Sequence, residues 1–201
     1  VRALHTFDKD GDYGVFADLL RRDGVANPVV DCLTRAAFFE RTFSVQKAVA
    51  ALGGVSRILE DDLPGVGRLF TEQLRERLHW RKHPDTYVRQ RELALSYLNN
   101  GDYPRAAIFA YEAFITSLIN KNAGEREHER DDRCRAEQEF LEGQRGNPSQ
   151  KQNYLLLEKL RNALAHGSKP SDKDVRQIAT DENKLRDELQ RLIRALLPNI
   201  R

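Results

Sequence analysis

The run Ala106-Ala107-Ile108-Phe109-Ala110-Tyr111-Glu112-Ala113-Phe114-Ile115 limits the architecture more than any other stretch of the chain. A helix through these residues is apolar on nearly every side, and only a helix enclosed by others can bury such a surface. Its alanines leave room for neighbours to approach closely. The flanking residues agree, because Asn99-Asn100-Gly101-Asp102 tolerates the left-handed backbone of a tight helical turn and Pro104 can open a helix. A helix over residues 85–98 is therefore expected just before the central one.

The rest of the sequence carries the same period. Leu185, Leu189, Leu192 and Leu196 recur at three- and four-residue intervals and predict a helix over 182–197. Leu157, Leu160 and Leu164 form the buried stripe of a helix over 154–165, closed by Gly167 with Pro170 beyond it. Earlier, a helix over 13–22 ends at Gly24, one or two helices fill 28–59 with an interruption near Gly53-Gly54, and another follows Pro64 to about residue 80. No stretch alternates apolar and polar residues between hairpin turns, so the expected fold is all-α.

Pro84-Asp85 is the natural break. Residues 1–84 carry apolar positions at helical spacing without concentrated polar chemistry and read as a helical spacer or packing region. Residues 85–201 read as a second helical unit. Within it, composition shifts over 121–151 to Arg, Glu, Asp, Gln and Gly, with Phe140 and Leu141 as the anchor, which reads as a partly helical, solvated insertion.

Charge excludes one broad class of function. The 33 Lys and Arg nearly cancel the 31 Asp and Glu, so a net charge of +2 gives no global field that gathers polyanions, and any nucleic-acid contact must be local. No apolar run approaches the roughly 18 to 20 residues that span a bilayer, and no basic-then-apolar leader opens the sequence, so no membrane partner and a cytoplasmic location are expected. Cys32 and Cys134 stand far apart and are expected to be ordinary reduced thiols.

Chemistry concentrates in Lys159-Leu160-Arg161-Asn162-Ala163-Leu164-Ala165-His166-Gly167, which puts strongly polar groups on an otherwise apolar helix end. Five residues of α-helix turn through about 140°, so Arg161 and His166 do not share a stripe, although a long arginine that bends toward the last turn would let the two flank one small ligand. An imidazole titrates near neutrality and suits proton transfer at physiological pH. Glu112, the one acid in the apolar run, is a candidate to hold Arg161 or to pair with some other core group.

The pattern R-N-x-x-x-H, here Arg161-Asn162-Ala163-Leu164-Ala165-His166, resembles the signature of the HEPN superfamily of helical ribonucleases. The context resembles it too: the run Gly101-Asp102-Tyr103-Pro104-Arg105 into the apolar helix, a charged insertion, the motif helix and a terminal helix. This order is most similar to the C-terminal region of CRISPR-associated ribonucleases that join a HEPN domain to a CARF sensor of cyclic oligoadenylate. The resemblance covers about residues 85–201.

It implies an endoribonuclease of antiviral defence that cuts single-stranded RNA without metal or other cofactor, at a composite site where two HEPN domains pair as a homodimer. The implied catalytic residues are Arg161, His166 and Asn162. Attack of a ribose 2′-hydroxyl on the adjacent phosphate needs proton transfer, which His166 can supply, and positive charge on the transition state, which the Arg161 fork can supply. Asn162 can orient the histidine or hold a phosphate.

Other readings compete. Residues 95–114 resemble half of a tetratricopeptide repeat, which would make a peptide-binding scaffold, yet such solenoids need about three stacked units and only one copy is present. A catalytically silent, nucleotide-binding HEPN domain keeps the fold. The toxin half of a toxin and nucleotidyltransferase pair usually continues H-x-Y, where this chain has His166-Gly167-Ser168. Asp8-Lys9-Asp10-Gly11-Asp12 begins like a calcium loop but has Tyr13 where the glycine belongs and Leu19 where the bidentate glutamate belongs. His79 and His83 have helical metal-pair spacing, but Pro84 ends the helix and no third ligand is apparent, so they read as surface residues. Trp80 reads as core or interface.

Overall fold

The computed structural model describes residues 7, 11–55, 63–119, 130–143, 147–167 and 170–198. Every regular element among them is a helix, and the fold is all-α. The chain divides into two compact units, Val1–Pro84 and Asp85–Arg201.

Among its described residues the first unit has four α-helices, α1 (Ala17–Arg22), α2 (Asn27–Arg41), α3 (Val45–Leu52) and α4 (Thr71–Arg77), with short 3-10 turns beside them. Val30, Leu33, Ala36, Val45, Ala48 and Leu52 are buried where α2 packs on α3. The α-helix stops at Gly53-Gly54, as expected, where a 3-10 turn begins, and a further break lies earlier, at Thr42-Phe43-Ser44. There Phe43 takes a left-handed φ of 60°. The Thr42 hydroxyl donates to the Phe38 carbonyl at 3.0 Å, and the Ser44 amide donates to the Phe39 carbonyl at 2.8 Å. Side chains that bond their own backbone offer it an alternative to the next helical turn, and here that alternative wins. Residue 59, where the stretch was expected to end, lies outside the described residues, as do residues 8–10 of the calcium-loop candidate. Asp12 instead caps the turn at Tyr13 and pairs with Arg41 at 2.6 Å. Inside the unit a buried ion pair joins Glu40 to Arg77, whose Nε also donates to the Gly11 carbonyl at 2.9 Å. Trp80 is buried, 3% exposed, which makes it core rather than a platform for bases.

The second unit is a bundle of α5 (Thr86–Asn99), α6 (Tyr103–Ile119), α7 (Arg130–Gly143), α8 (Pro148–His166), α9 (Lys173–Ala179) and α10 (Glu182–Leu196). The all-round apolar run is α6, and it contacts α5, α7, α8 and α10. In a solenoid each repeat touches only the repeats beside it, whereas α6 also meets α10, four helices further along, so this enclosure is a bundle core. Tyr97 of α5 stacks on Phe109 of α6 with centroids 5.5 Å apart, and Gly101 turns the chain between them at φ 74°. Phe114, Phe140 and Tyr154 meet at 5.0 to 5.5 Å and tie α6, α7 and α8 together. Amphipathic α10 closes the bundle with Leu185, Leu189, Leu192, Ile193 and Leu196.

Two sequence expectations are revised here and a third is made specific. The charged stretch is partly helical, as α7, which buries Ala136 and the expected anchor Phe140 but leaves Leu141 only half-buried. Helix α8 starts at Pro148, a turn and a half before the expected start, because the Asn147 side chain accepts from the Gln150 amide and caps it. Leu164 is half-buried rather than core: residues 161–164 are all intermediate in exposure, and Ala165 and His166 are exposed.

Candidate functional site

The last turns of α8 carry two sets of side chains on different faces. Tyr154, Leu157, Leu160 and Arg161 recur at three- and four-residue spacing with one slip, and the first three are buried. Lys159, Asn162, Ala163 and His166 recur in the same way on another face. That second face is the floor of an open groove of about 580 Å³, whose other wall is Pro170, Ser171, Asp172 and Val175. The size lies in the range of small-molecule sites.

Local chemistry builds that wall. The Asp172 carboxylate accepts from the Asp174 and Val175 amides at 3.0 and 3.3 Å and caps α9. Arg176 donates to the Pro170 carbonyl through Nε at 3.1 Å and Nη2 at 2.9 Å, which fixes the entry into the helix. Lys159 of α8 pairs with Asp172 at 2.7 Å across the groove. Each partner favours the other's charge: the hydrogen bond to Lys159 holds the Asp172 carboxyl below its ordinary value, and the same bond raises the Lys159 ammonium. At the end of α8, Gly167 takes φ 59° and its amide donates to the Ala163 carbonyl at 3.1 Å. This left-handed cap stops the helix one residue after His166 and leaves the imidazole at its exposed rim. Ser168, which breaks the toxin pattern, lies outside the described residues.

Arg161 is not among the groove residues. Its guanidinium carbon sits 4.1 Å from the centroid of the Tyr111 ring on α6, within the range of a cation–π contact. Its Nε is buried and has no hydrogen-bond partner among the described residues. Glu112 does not hold it: both Glu112 oxygens are taken by Arg133 Nη2 of α7, at 3.0 and 2.9 Å. Beneath Arg161 the Tyr111 and Tyr154 hydroxyls lie 3.4 Å apart, and the Tyr154 hydroxyl donates to Glu137 of α7. Burial, first of all, pushes both tyrosines above the usual phenol value, so both are neutral hydroxyls at physiological pH.

The sequence-derived residues thus divide. Asn162 and His166 share the groove, while Arg161 lies over Tyr111 on another face and does not bend toward the last turn. Sequence reasoning missed Lys159 and Asp172 as groove residues. The spacing 159, 162, 163, 166 was a usable signal for the first, and nothing local marked the second. Elsewhere, the His79 and His83 rings lie 5.7 Å apart, with His79 exposed, and no cluster of three or more metal-ligating side chains occurs among the described residues. Cys32 and Cys134 are free thiols. No helix among the described residues is long and apolar enough to cross a membrane. No protein-family profile, curated protein or solved structure matches the chain.

Proposed function

We propose that this chain is a metal-independent endoribonuclease of HEPN type that works as a homodimer on single-stranded RNA. The observation that carries the reading is the motif Arg161-Asn162-x-x-x-His166 at the open end of α8, with its histidine and asparagine on one groove and its arginine on another face. Among the described residues, the lysine that lines the groove, Lys159, is paired with Asp172. The guanidinium that meets the charge developing on a phosphorane-like transition state comes across a two-fold axis at the end of α8, as Arg161 of the partner subunit. The small, half-exposed or exposed Ala163 and Ala165 favour close approach there.

In that site the ribose 2′-oxygen attacks phosphorus as its proton passes to one His166 imidazole. The bond from phosphorus to the 5′-oxygen breaks as the second histidine, from the other protomer and in its imidazolium form, donates a proton to the departing oxygen. The products carry a 2′,3′-cyclic phosphate and a 5′-hydroxyl. Asn162, one helical turn before His166, holds the imidazole or a phosphate oxygen. The resemblance that motivates this reading also assigns it to CRISPR-linked antiviral defence, with a CARF domain that binds cyclic oligoadenylate as the regulating partner.

The test is subunit mixing in EDTA on a labelled single-stranded RNA. Arg161→Ala and His166→Ala are each inactive. Co-refolding wild type with an equal amount of His166→Ala leaves a quarter of the dimers with both imidazoles, so about a quarter of the wild-type cleavage per total protein remains. Equal cleavage by the wild type and both variants rejects the assignment, and a mixture that keeps half of the wild-type cleavage rejects the shared two-fold site.

A further inference from the structure

We infer that Tyr111 is a positioning residue for Arg161: its ring is the seat that aims the guanidinium, and Tyr154 and Glu137 lock that seat in place. The inference rests on the ribonuclease reading for its kinetic consequence and on geometry alone for its structural one.

An arginine side chain has many rotamers and loses them only where something holds it. Here no described residue gives the guanidinium an ion pair or hydrogen bond, and its Nε is sealed from water. The contact that remains is the Tyr111 face at 4.1 Å. A ring holds a guanidinium by its plane and forms no hydrogen bond with its Nη edge, so the seat leaves those donors for a phosphate. A carboxylate in the same place would bind that edge and neutralise the charge, which is what Glu112 does to Arg133.

The seat is itself fixed from below. Tyr111 and Tyr154 stack with centroids 6.0 Å apart and hydroxyls 3.4 Å apart, and Glu137 accepts from the Tyr154 hydroxyl. Tyr154 is fully buried and wedged against Phe114 and Phe140. Three helices therefore converge on one ring: α6 carries it, α8 supplies Tyr154 and the arginine, and α7 supplies the acid. Buried polar chains of this kind give rigidity when every member is satisfied.

The experiment compares wild type, Tyr111→Phe, Tyr111→Leu and Tyr154→Phe by two readouts, with thermal melts as the folding control. The first is the Arg161 Nε–H resonance in solution, which needs no activity. It is shifted upfield by the ring in wild type and Tyr111→Phe, and moves to the ordinary arginine position in Tyr111→Leu. The second is cleavage. Tyr111→Leu loses about 10- to 100-fold in kcat with little change in KM, as a misplaced charged group does, and Tyr111→Phe and Tyr154→Phe, which keep the ring and loosen its lock, fall between. An unshifted wild-type resonance, or one that ignores loss of the ring, overturns the seat. Full kcat in a folded Tyr111→Leu beside an active wild type overturns the positioning role. Wild type without cleavage but with the ring-dependent shift sinks the ribonuclease reading and leaves the seat standing. Should Tyr111→Leu fail to fold, Tyr154→Phe and Glu137→Gln decide, since both keep the ring and loosen its lock; an Arg161 resonance and kcat unaltered in both overturn the inference.

Discussion

Two faces of α8 share one stretch of backbone and differ in every other respect. Toward α6 and α7, Tyr154, Leu157 and Leu160 are buried, and Arg161 is held against an aromatic ring. Toward α9, Asn162 and His166 line an open groove, and the imidazole is exposed. The first face gives the bundle its rigidity, and the second is free of that duty. A helix can thus carry a soft chemical group on a hard support, provided the two faces are energetically independent. Substitutions test that independence.

The largest effect belongs to the open face. On the proposed ribonuclease reading, replacing His166 by Ala removes the proton-transfer group and lowers cleavage by about 10²- to 10⁴-fold, while the melting transition stays within about 0.5 kcal/mol of wild type, as for other surface positions. Single-turnover kinetics and urea titration on the same sample give both numbers. A strongly destabilised His166→Ala would show that the faces are coupled.

The buried face reverses the pattern. Leu160 is fully buried, and Leu160→Ala leaves a cavity that costs about 2 to 5 kcal/mol. The rate per folded molecule should change little, because Leu160 does not line the groove. Cleavage normalised to the native fraction from urea titration checks this. A large loss in the normalised rate would mean that core packing sets the position of Arg161 through α8 as a whole, and would blur the division between the faces.

How much of this was legible beforehand follows from range. The α6 helix announced itself because an all-round apolar helix has one physical solution. The cap at Gly167 and the turn at Gly101 were equally plain, since each needs a left-handed residue and has glycine there. Also legible was the angular separation of Arg161 from His166, which is helical geometry alone. Three features were not. The bounds of helix α7, legible only as a partly helical stretch around Phe140, hide in mixed charge because Ala136 and Phe140 are its buried side chains. Helix α9 has Val175 as its one buried side chain and no periodic stripe to betray it. The Tyr111 seat joins residues on two helices whose partnership depends on packing, and no local pattern encodes it.

The smallest effect concerns the rim that joins the faces to α9. The Asp172 carboxyl is depressed below 3.8 by its hydrogen bond to Lys159, and the Lys159 ammonium is raised above 10.5 by the same contact. A depressed carboxylate stabilises the fold at pH above its unfolded value, and that stability is lost as pH falls through the folded value; the raised ammonium loses its share only as pH climbs through its own folded value. The pair therefore acts across the whole neutral range. Asp172→Asn isolates it, because asparagine keeps an oxygen to cap α9 and loses only the charge. The variant should melt slightly below wild type at neutral pH, by little, since the pair is solvent-exposed and screened by salt. The gap should close as pH drops well below 3.8, where the protonated aspartate and the amide become equivalent. A gap that persists in acid would show that the caps differ, and one that is absent at neutral pH would show that Lys159 is free for the groove, so that a second protomer's arginine would not be its only cation.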